Sequence, residues 1–305
     1  MKYNGLDIIF SDWKETCNIE TNVYALSINK KETESLALCL KGSINKETAE
    51  AYTNKVSLFK SFESKEFSLS GHKNKEYGIG DLELIREEWE NLKKLVDEAN
   101  TIDGCKKKTI TDKIGLTITK VVLSSKEYYF VATQESSEKM YKKKKIFSVG
   151  EVLKTMRPNE FFTMTNDFDC IIDEEQGCFY SLKNSQVIQL FNLKEKIKGI
   201  VKSLENNIDE WDFIENVDLI KCSINQQNIY EPLFKIFKDK EYVDSLKIMT
   251  AVEFKERLIR VANGKITEND FQDNKLIINK ANRALFLELL ARKKKYNIVT
   301  DSIEV

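Results

Sequence analysis

The acidic stretch 167–175 is the only plausible group of metal-binding carboxylates in the sequence. Asp167 and Asp169 alternate, so on a strand they would share one face. Carboxylates on one face with a lysine nearby can hold a divalent cation and orient a water molecule, as metal-dependent nucleases require. The Glu-x-Lys pattern of such sites occurs only in a loop-like and in a helical context. Two interpretations stay open: a hairpin with solvated acidic ends, and a metal-dependent nuclease that uses Asp167, Asp169 and Asp173.

The only histidine, His72, restricts the catalytic chemistry further. It lies among turn-forming residues and cations, which indicates an exposed loop. A Ser-His-Asp or Cys-His arrangement would need His72 as its base, and the sequence contains no G-x-S-x-G elbow. Phosphate-binding glycine loops are also absent, because Gly78-Ile79-Gly80 precedes an acidic helix and indicates a turn.

The cysteines are equally uninformative about catalysis. All six are scattered along the chain without a C-x-x-C pair, which is typical of thiols in a reduced cytosolic protein. We therefore expect neither a metal nor a cofactor, and the residues favour a protein without catalytic activity.

Composition places the chain among soluble globular proteins. Its 305 residues predict two domains, and a hydrophobic content of 41% is enough for a packed core. Lys and Arg number 48 against 49 Asp and Glu, so any binding face for a polyanion must be local. We find no apolar window long enough to span a membrane and no secretory signal at the N-terminus, so we expect a cytoplasmic protein.

Lysine runs are the strongest binding signal. They occur at 106–108, 142–145 and 292–295, and aromatic residues flank the last two. Lysines neutralise phosphates without reading sequence, and adjacent aromatic rings can stack on unpaired bases. Solvated loops and helix ends also carry such runs, so that interpretation stays open. The candidate DNA-binding residues are Lys142, Lys143, Lys144, Lys145, Arg257, Arg260, Lys265, Arg292, Lys293, Lys294 and Lys295.

The periodicity predicts strands and helices in both halves. Strands with β-branched and aromatic residues are predicted at 114–123, 127–133 and 145–149, with a hairpin at 168–172 and 177–182. An extended segment is predicted at 217–224 and a short strand at 276–278. Helices are predicted at 81–100, 151–157, 193–204, 230–237, 250–262 and 280–294. The first has an apolar stripe of Leu82, Ile85, Trp89, Leu92 and Val96, and the helix at 250–262 begins with a capping box of Thr250 and Glu253. This pattern predicts an α+β protein with mainly antiparallel sheets and packed helices, divided into domains 1–145 and 146–305.

The second half resembles the KwaB-like family of the Kiwa anti-phage system. The resemblance covers roughly residues 115–300 and is carried by segments 146–149, 160–162, 167–173, 179–184 and 289–300. It implies a cytoplasmic effector that binds phage DNA, self-associates as a homodimer or larger homo-oligomer, and acts beside a membrane partner of the KwaA type. The family has no catalytic motif to transfer, so no active-site residue is implied. The near-neutral charge leaves open an alternative, a protein–protein adaptor or inhibitor without nucleic-acid affinity.

Overall fold

The computed structural model describes residues 6, 9, 20–27, 36–40, 43–59, 61–101, 114–123, 125–134, 147–148, 154–155, 167–291 and 297–299. The chain divides into two compact units, Met1–Leu193 (unit 1) and Lys194–Val305 (unit 2). The fold class is α+β, as predicted.

The described strands of unit 1 form a mainly antiparallel sheet of nine strands. They are β1 (Glu20–Ser27), β2 (Leu36–Leu40), β3 (Glu63–Glu66), β4 (Glu76–Asp81), β5 (Asn100–Thr101), β6 (Ile114–Leu123), β7 (Lys126–Thr133), β10 (Cys170–Asp173) and β11 (Cys178–Ser181). Their order is β3-β4-β11-β10-β7-β6-β1-β2-β5, and only the two outermost pairs are parallel. A separate two-stranded ribbon joins β8 (Phe147–Ser148) to β9 (Lys154–Thr155).

Helices cover both faces of this sheet. Tyr129 and Phe130 are neighbours on β7 and therefore point to opposite faces. Tyr52 of α1 (Ser43–Phe59) packs on Phe130 with ring centroids 5.3 Å apart. Trp89 of α2 (Arg86–Asp97) packs on Tyr129 at 4.9 Å. The central strands are consequently buried on both sides, which explains their near-continuous apolar runs.

Local sequence explains why α2 lies where it does. Asp81 accepts a hydrogen bond from the Glu83 backbone N–H and caps the 3-10 turn that precedes the helix. The predicted apolar stripe is confirmed, because Trp89, Leu92 and Val96 are all buried. The last helix of unit 1, α3 (Asn184–Leu190), directly follows the β10–β11 hairpin.

Unit 2 is mostly helical around an aromatic core. Its helices are α4 (Leu193–Ser203), α5 (Asp218–Lys221), α6 (Gln227–Phe237), α7 (Lys240–Ile248), α8 (Ala251–Ala262) and α9 (Arg283–Ala291). A small sheet pairs β14 (Lys275–Ile277) with β12 (Ile214–Glu215) and β13 (Phe271–Gln272). Phe213 and Phe254 stack in the core with ring centroids 3.9 Å apart. The predicted capping box of α8 is confirmed, with Thr250 and Glu253 bonding reciprocally.

The domain boundary expected between residues 145 and 146 lies outside the described residues, whereas the compact units divide between Leu193 and Lys194. Two details differ from the sequence expectations. The segment 217–224 is not extended but contains α5, closed by local bonds such as Lys221 N–H to Val217 O. Within the helix expected at 151–157, residues 154 and 155 form β9, and the remainder lies outside the described residues.

Candidate functional site

The hairpin of β10 and β11 brings the sequence-predicted carboxylates together with lysines. Asp167 and Asp169 precede β10, whereas Lys183 follows β11. Since the two strands are antiparallel, the start of one lies beside the end of the other. Lys55 of α1 and Thr133 at the end of β7 complete the group. We call these five residues the carboxylate–lysine cluster.

The contacts of this cluster neutralise its charges internally. The side chain of Asp169 is 3% exposed and lies 3.2 Å from Lys183 Nζ. Its Oδ2 also accepts hydrogen bonds from the Thr133 backbone N–H, at 2.6 Å, and from the Thr133 hydroxyl. Asp167 lies 3.0 Å from Lys183 Nζ and 3.3 Å from Lys55 Nζ. Two carboxylates therefore face two ammonium groups.

The surrounding charges keep the side chains of Asp167 and Lys183 ionised. Burial alone would raise the pKa of Asp167, but the hydrogen bonds and charges of Lys183 and Lys55 outweigh it and lower that pKa below its ordinary value. Burial alone would lower the pKa of Lys183, but Asp167 and Asp169 outweigh it and raise that pKa. General acid–base catalysis needs a group whose pKa lies near the working pH. The pKa values of Asp167 and Lys183 are instead shifted away from neutral pH, as in a structural ion-pair network.

The third carboxylate of the nuclease alternative lies elsewhere. Asp173 ends β10, four residues beyond Asp169, which is about 13 Å along a strand. Its Oδ1 accepts a hydrogen bond from the Gln176 N–H at 2.9 Å, and burial raises the pKa of its carboxyl group. The three aspartates consequently do not converge on one ion. Among the described residues, no three His, Cys, Asp or Glu side chains are grouped to hold a metal.

His72 is less exposed than the sequence indicates. Its imidazole packs on Gly78, so close that a Cβ at Gly78 would lie 2.2 Å from Nε2. The Phe67 ring lies beside it, with centroids 6.4 Å apart. Gly78 belongs to β4 and not to the expected turn, and its missing side chain makes room for the ring. The glycine at position 78 was the feature of the sequence that could have indicated this close contact with His72.

Only part of the predicted cationic set lies within the described residues. Lys142–Lys145 and Arg292–Lys295 lie outside them. Arg257, on α8, is half-buried, and its Nη1 donates hydrogen bonds to the carbonyl of Ile298, at 2.9 Å, and to that of Val299. Arg260 and Lys265 are exposed at the end of the same helix and just after it. Arg257 thus holds the backbone at residues 298 and 299, a structural role that the sequence does not indicate.

The sequence analysis missed the lysines of α4. Lys194, Lys198 and Lys202 recur every four residues, and no run of adjacent lysines marks them. Lys198 lies 3.4 Å from Glu195, whereas Lys194 and Lys202 are exposed without an ion-pair partner in the described part of the chain. A helical-wheel count over 193–204 could have found them, since the buried residues Leu193, Ile197 and Val201 show the same spacing.

Comparisons with known proteins identify no relative, since no family model, no curated protein and no solved structure matches this chain. A search of the described helices for one long and apolar enough to cross a bilayer finds none. The functional argument therefore rests on the residues and their contacts.

Proposed function

We propose that this protein is a cytoplasmic effector of bacterial anti-phage defence that binds DNA largely independently of sequence. The observation that carries the proposal is the pair of hydrogen bonds from Arg257 to the carbonyls of Ile298 and Val299. They link the middle of α8 to residues 298 and 299, which follow the run Arg292–Lys295 in sequence. The candidate residues Arg257, Arg260 and Lys265 lie in unit 2, on α8 and just after it.

The burial of this junction supports a fixed geometry. Ile298 is fully buried, so the segment after the cationic run is anchored by packing as well as by Arg257. Arg260 and Lys265 stay exposed near this anchor. Lysine and arginine in this setting neutralise phosphates and release counterions, which gives affinity without base recognition.

The state of the carboxylates favours binding over cleavage. The acidic residues of the nuclease alternative are paired with Lys183 and Lys55 or separated along β10. Within this proposal the protein self-associates and acts beside a membrane partner of the KwaA type, as the resemblance to KwaB-like proteins implies. Phage-derived DNA is the proposed ligand.

A titration with a linear duplex at several salt concentrations tests the proposal. We expect binding that weakens steeply with salt, and Arg260→Glu with Lys265→Glu should reduce the slope of log K against log salt by about 2. The matched control is Lys73→Glu with Lys75→Glu, which changes the same charge at exposed positions of unit 1 and should leave the slope unchanged. No binding of the wild-type protein at low salt would overturn the proposal and favour a protein–protein adaptor. Cutting of the duplex with magnesium or manganese would favour the nuclease instead.

A further inference from the structure

The helix α4 carries more lysines than its single acidic residue can pair with. The helix contains four lysines, Lys194, Lys196, Lys198 and Lys202, against the single acid Glu195. Its apolar residues Leu193, Ile197 and Val201 are at most 2% exposed and form its buried side. The lysines therefore lie on the flanks and outer side of a helix whose inner side is fixed.

The placement of these lysines opposes local helix stability. The N-terminal end of a helix is positive, so cations in the first turn are unfavourable there. Lys194 and Lys196 nevertheless occupy that turn, and only Lys202 lies in the last turn where a cation is favourable. The helix dipole thus gives no reason for the charge of Lys194, which has no ion-pair partner among the described residues.

The spacing of the row Lys194, Lys198 and Lys202 suits a phosphodiester backbone. Residues four apart on a helix rise about 6 Å, so the row extends about 12 Å. Phosphates along one strand of a duplex are about 3.4 Å apart along the axis, so alternate phosphates rise by a similar distance. A helix lying along the backbone would bring Lys194 and Lys202 to phosphates, with Lys198, which lies 3.4 Å from Glu195, between them.

Gly199 adds a second and independent observation. It is exposed in the interior of α4, where glycine destabilises a helix relative to alanine. No atom lies within 4 Å of the position that its Cβ would take, so the fold does not need a glycine there. Lys196 and Lys202, three residues before and after it, border the gap. A glycine in an open, cationic surface lets another backbone approach the helix closely.

We propose that the Lys194–Lys198–Lys202 row and Gly199 form the surface of α4 on which the phosphodiester backbone of duplex DNA docks. This inference rests on the proposed DNA-binding function and names a surface for it. It adds residues that the candidate set from the sequence does not contain.

Neutralising the row tests the electrostatic half of the inference. In Lys194→Gln/Lys198→Gln/Lys202→Gln, the slope of log K against log salt should fall by about 2 to 3. The matched control neutralises Lys73, Lys75 and Lys94, exposed lysines of unit 1, and should bind as the wild type does. Equal slopes for the two triple variants, with wild-type binding intact, would overturn this inference and leave the proposed function standing. If the wild type does not bind duplex DNA, both fall.

Substitution of Gly199 tests the close approach without changing charge. Gly199→Ala should raise Tm by a few degrees, because alanine favours the helix, and yet weaken DNA binding several-fold at an unchanged salt slope. Gly199→Gln should weaken binding further. Asn91→Ala, at an exposed position of α2, is the control that improves helix propensity away from the surface and should not affect binding. Wild-type affinity in Gly199→Gln, with its helix content intact by circular dichroism, would overturn the docking geometry.

Discussion

The carboxylate–lysine cluster of unit 1 and the lysine face of α4 use the same residue type in opposite ways. Lys183 lies within 3.2 Å of two carboxylates, and their charges raise its pKa. Lys194 and Lys202 are exposed, without a carboxylate partner among the described residues. A lysine that is satisfied internally stabilises the fold and offers little to a ligand. The comparison teaches that partners, and not the number of lysines, decide where a polyanion can bind.

Two glycines, one in each unit, differ in the room that their surroundings leave for a side chain. Gly80 of β4 lies opposite Phe179 of β11, and a Cβ there would be 2.1 Å from the Phe179 ring. Gly199 of α4 has nothing within 4 Å of the same position. The first glycine is required by packing, since Phe179 is fully buried. The second has no structural requirement, which is why we assign it to an interface.

The largest loss of stability that distinguishes the carboxylate–lysine cluster from α4 should come from Asp169→Ala. The substitution removes a carboxylate that accepts two hydrogen bonds from Thr133 and pairs with Lys183, and it leaves the Thr133 N–H without its acceptor. We expect a loss of about 3 kcal/mol in the free energy of unfolding, measured by urea denaturation. Lys194→Gln and Lys202→Gln on α4 should each change that free energy by less than about 0.5 kcal/mol. Similar losses in both regions would contradict the distinction between the paired charges of the carboxylate–lysine cluster and the exposed charges of Lys194 and Lys202.

A smaller effect of about 2 kcal/mol is expected for Gly80→Ala. The added methyl group would overlap the buried Phe179 ring, and overpacking of a filled core typically costs 1–3 kcal/mol. Gly199→Ala should instead stabilise the protein by up to about 1 kcal/mol. The two alanine variants, compared by urea denaturation, should therefore differ in sign. A destabilised Gly199→Ala would show that packing requires this glycine too.

Local patterns predicted those parts of the fold that depend on neighbours in sequence. The stripe of α2, the capping box at Thr250 and the β10–β11 hairpin are confirmed. The pairing of β1 with β6 and of β4 with β11 was not predicted, because such register depends on residues far apart in the chain. The segment 217–224 was misassigned because a short apolar run fits a strand or a buried helix equally well.

The candidate site was predictable only in its acidic half. Alternation at Asp167 and Asp169 indicated a shared face, and both do contact Lys183. The contribution of Lys55 could not be predicted, because it comes from α1, more than a hundred residues earlier in the chain. The α4 row was missed for another reason, since a search for adjacent lysines does not detect charges spaced every four residues.

The smallest effect should be a dependence on pH that distinguishes two aspartates of the same hairpin. The pKa of Asp167 is lowered, so its ion pairs stabilise the native state above its ordinary pKa of about 4, and that stabilisation is lost as the pH falls. Lys183→Gln should thus cost less than about 1 kcal/mol near pH 7, a value reduced by solvent screening, and nothing at low pH. Burial raises the pKa of Asp173, so ionisation of Asp173 destabilises the native state as the pH rises above about 4.

Asp173→Asn provides the matched comparison, because an asparagine oxygen can still accept the Gln176 N–H bond without a buried charge. Relative to the wild type, Asp173→Asn should gain stability as the pH rises from 3 to 7, whereas Lys183→Gln should lose stability over the same interval. Urea denaturation of the three proteins at pH 3, 5 and 7 measures both differences. If the two differences change in the same direction, the opposite pKa shifts inferred for this hairpin are wrong. If they diverge, the ion pairs of the carboxylate–lysine cluster stabilise the fold, whereas the buried charge of Asp173 opposes it.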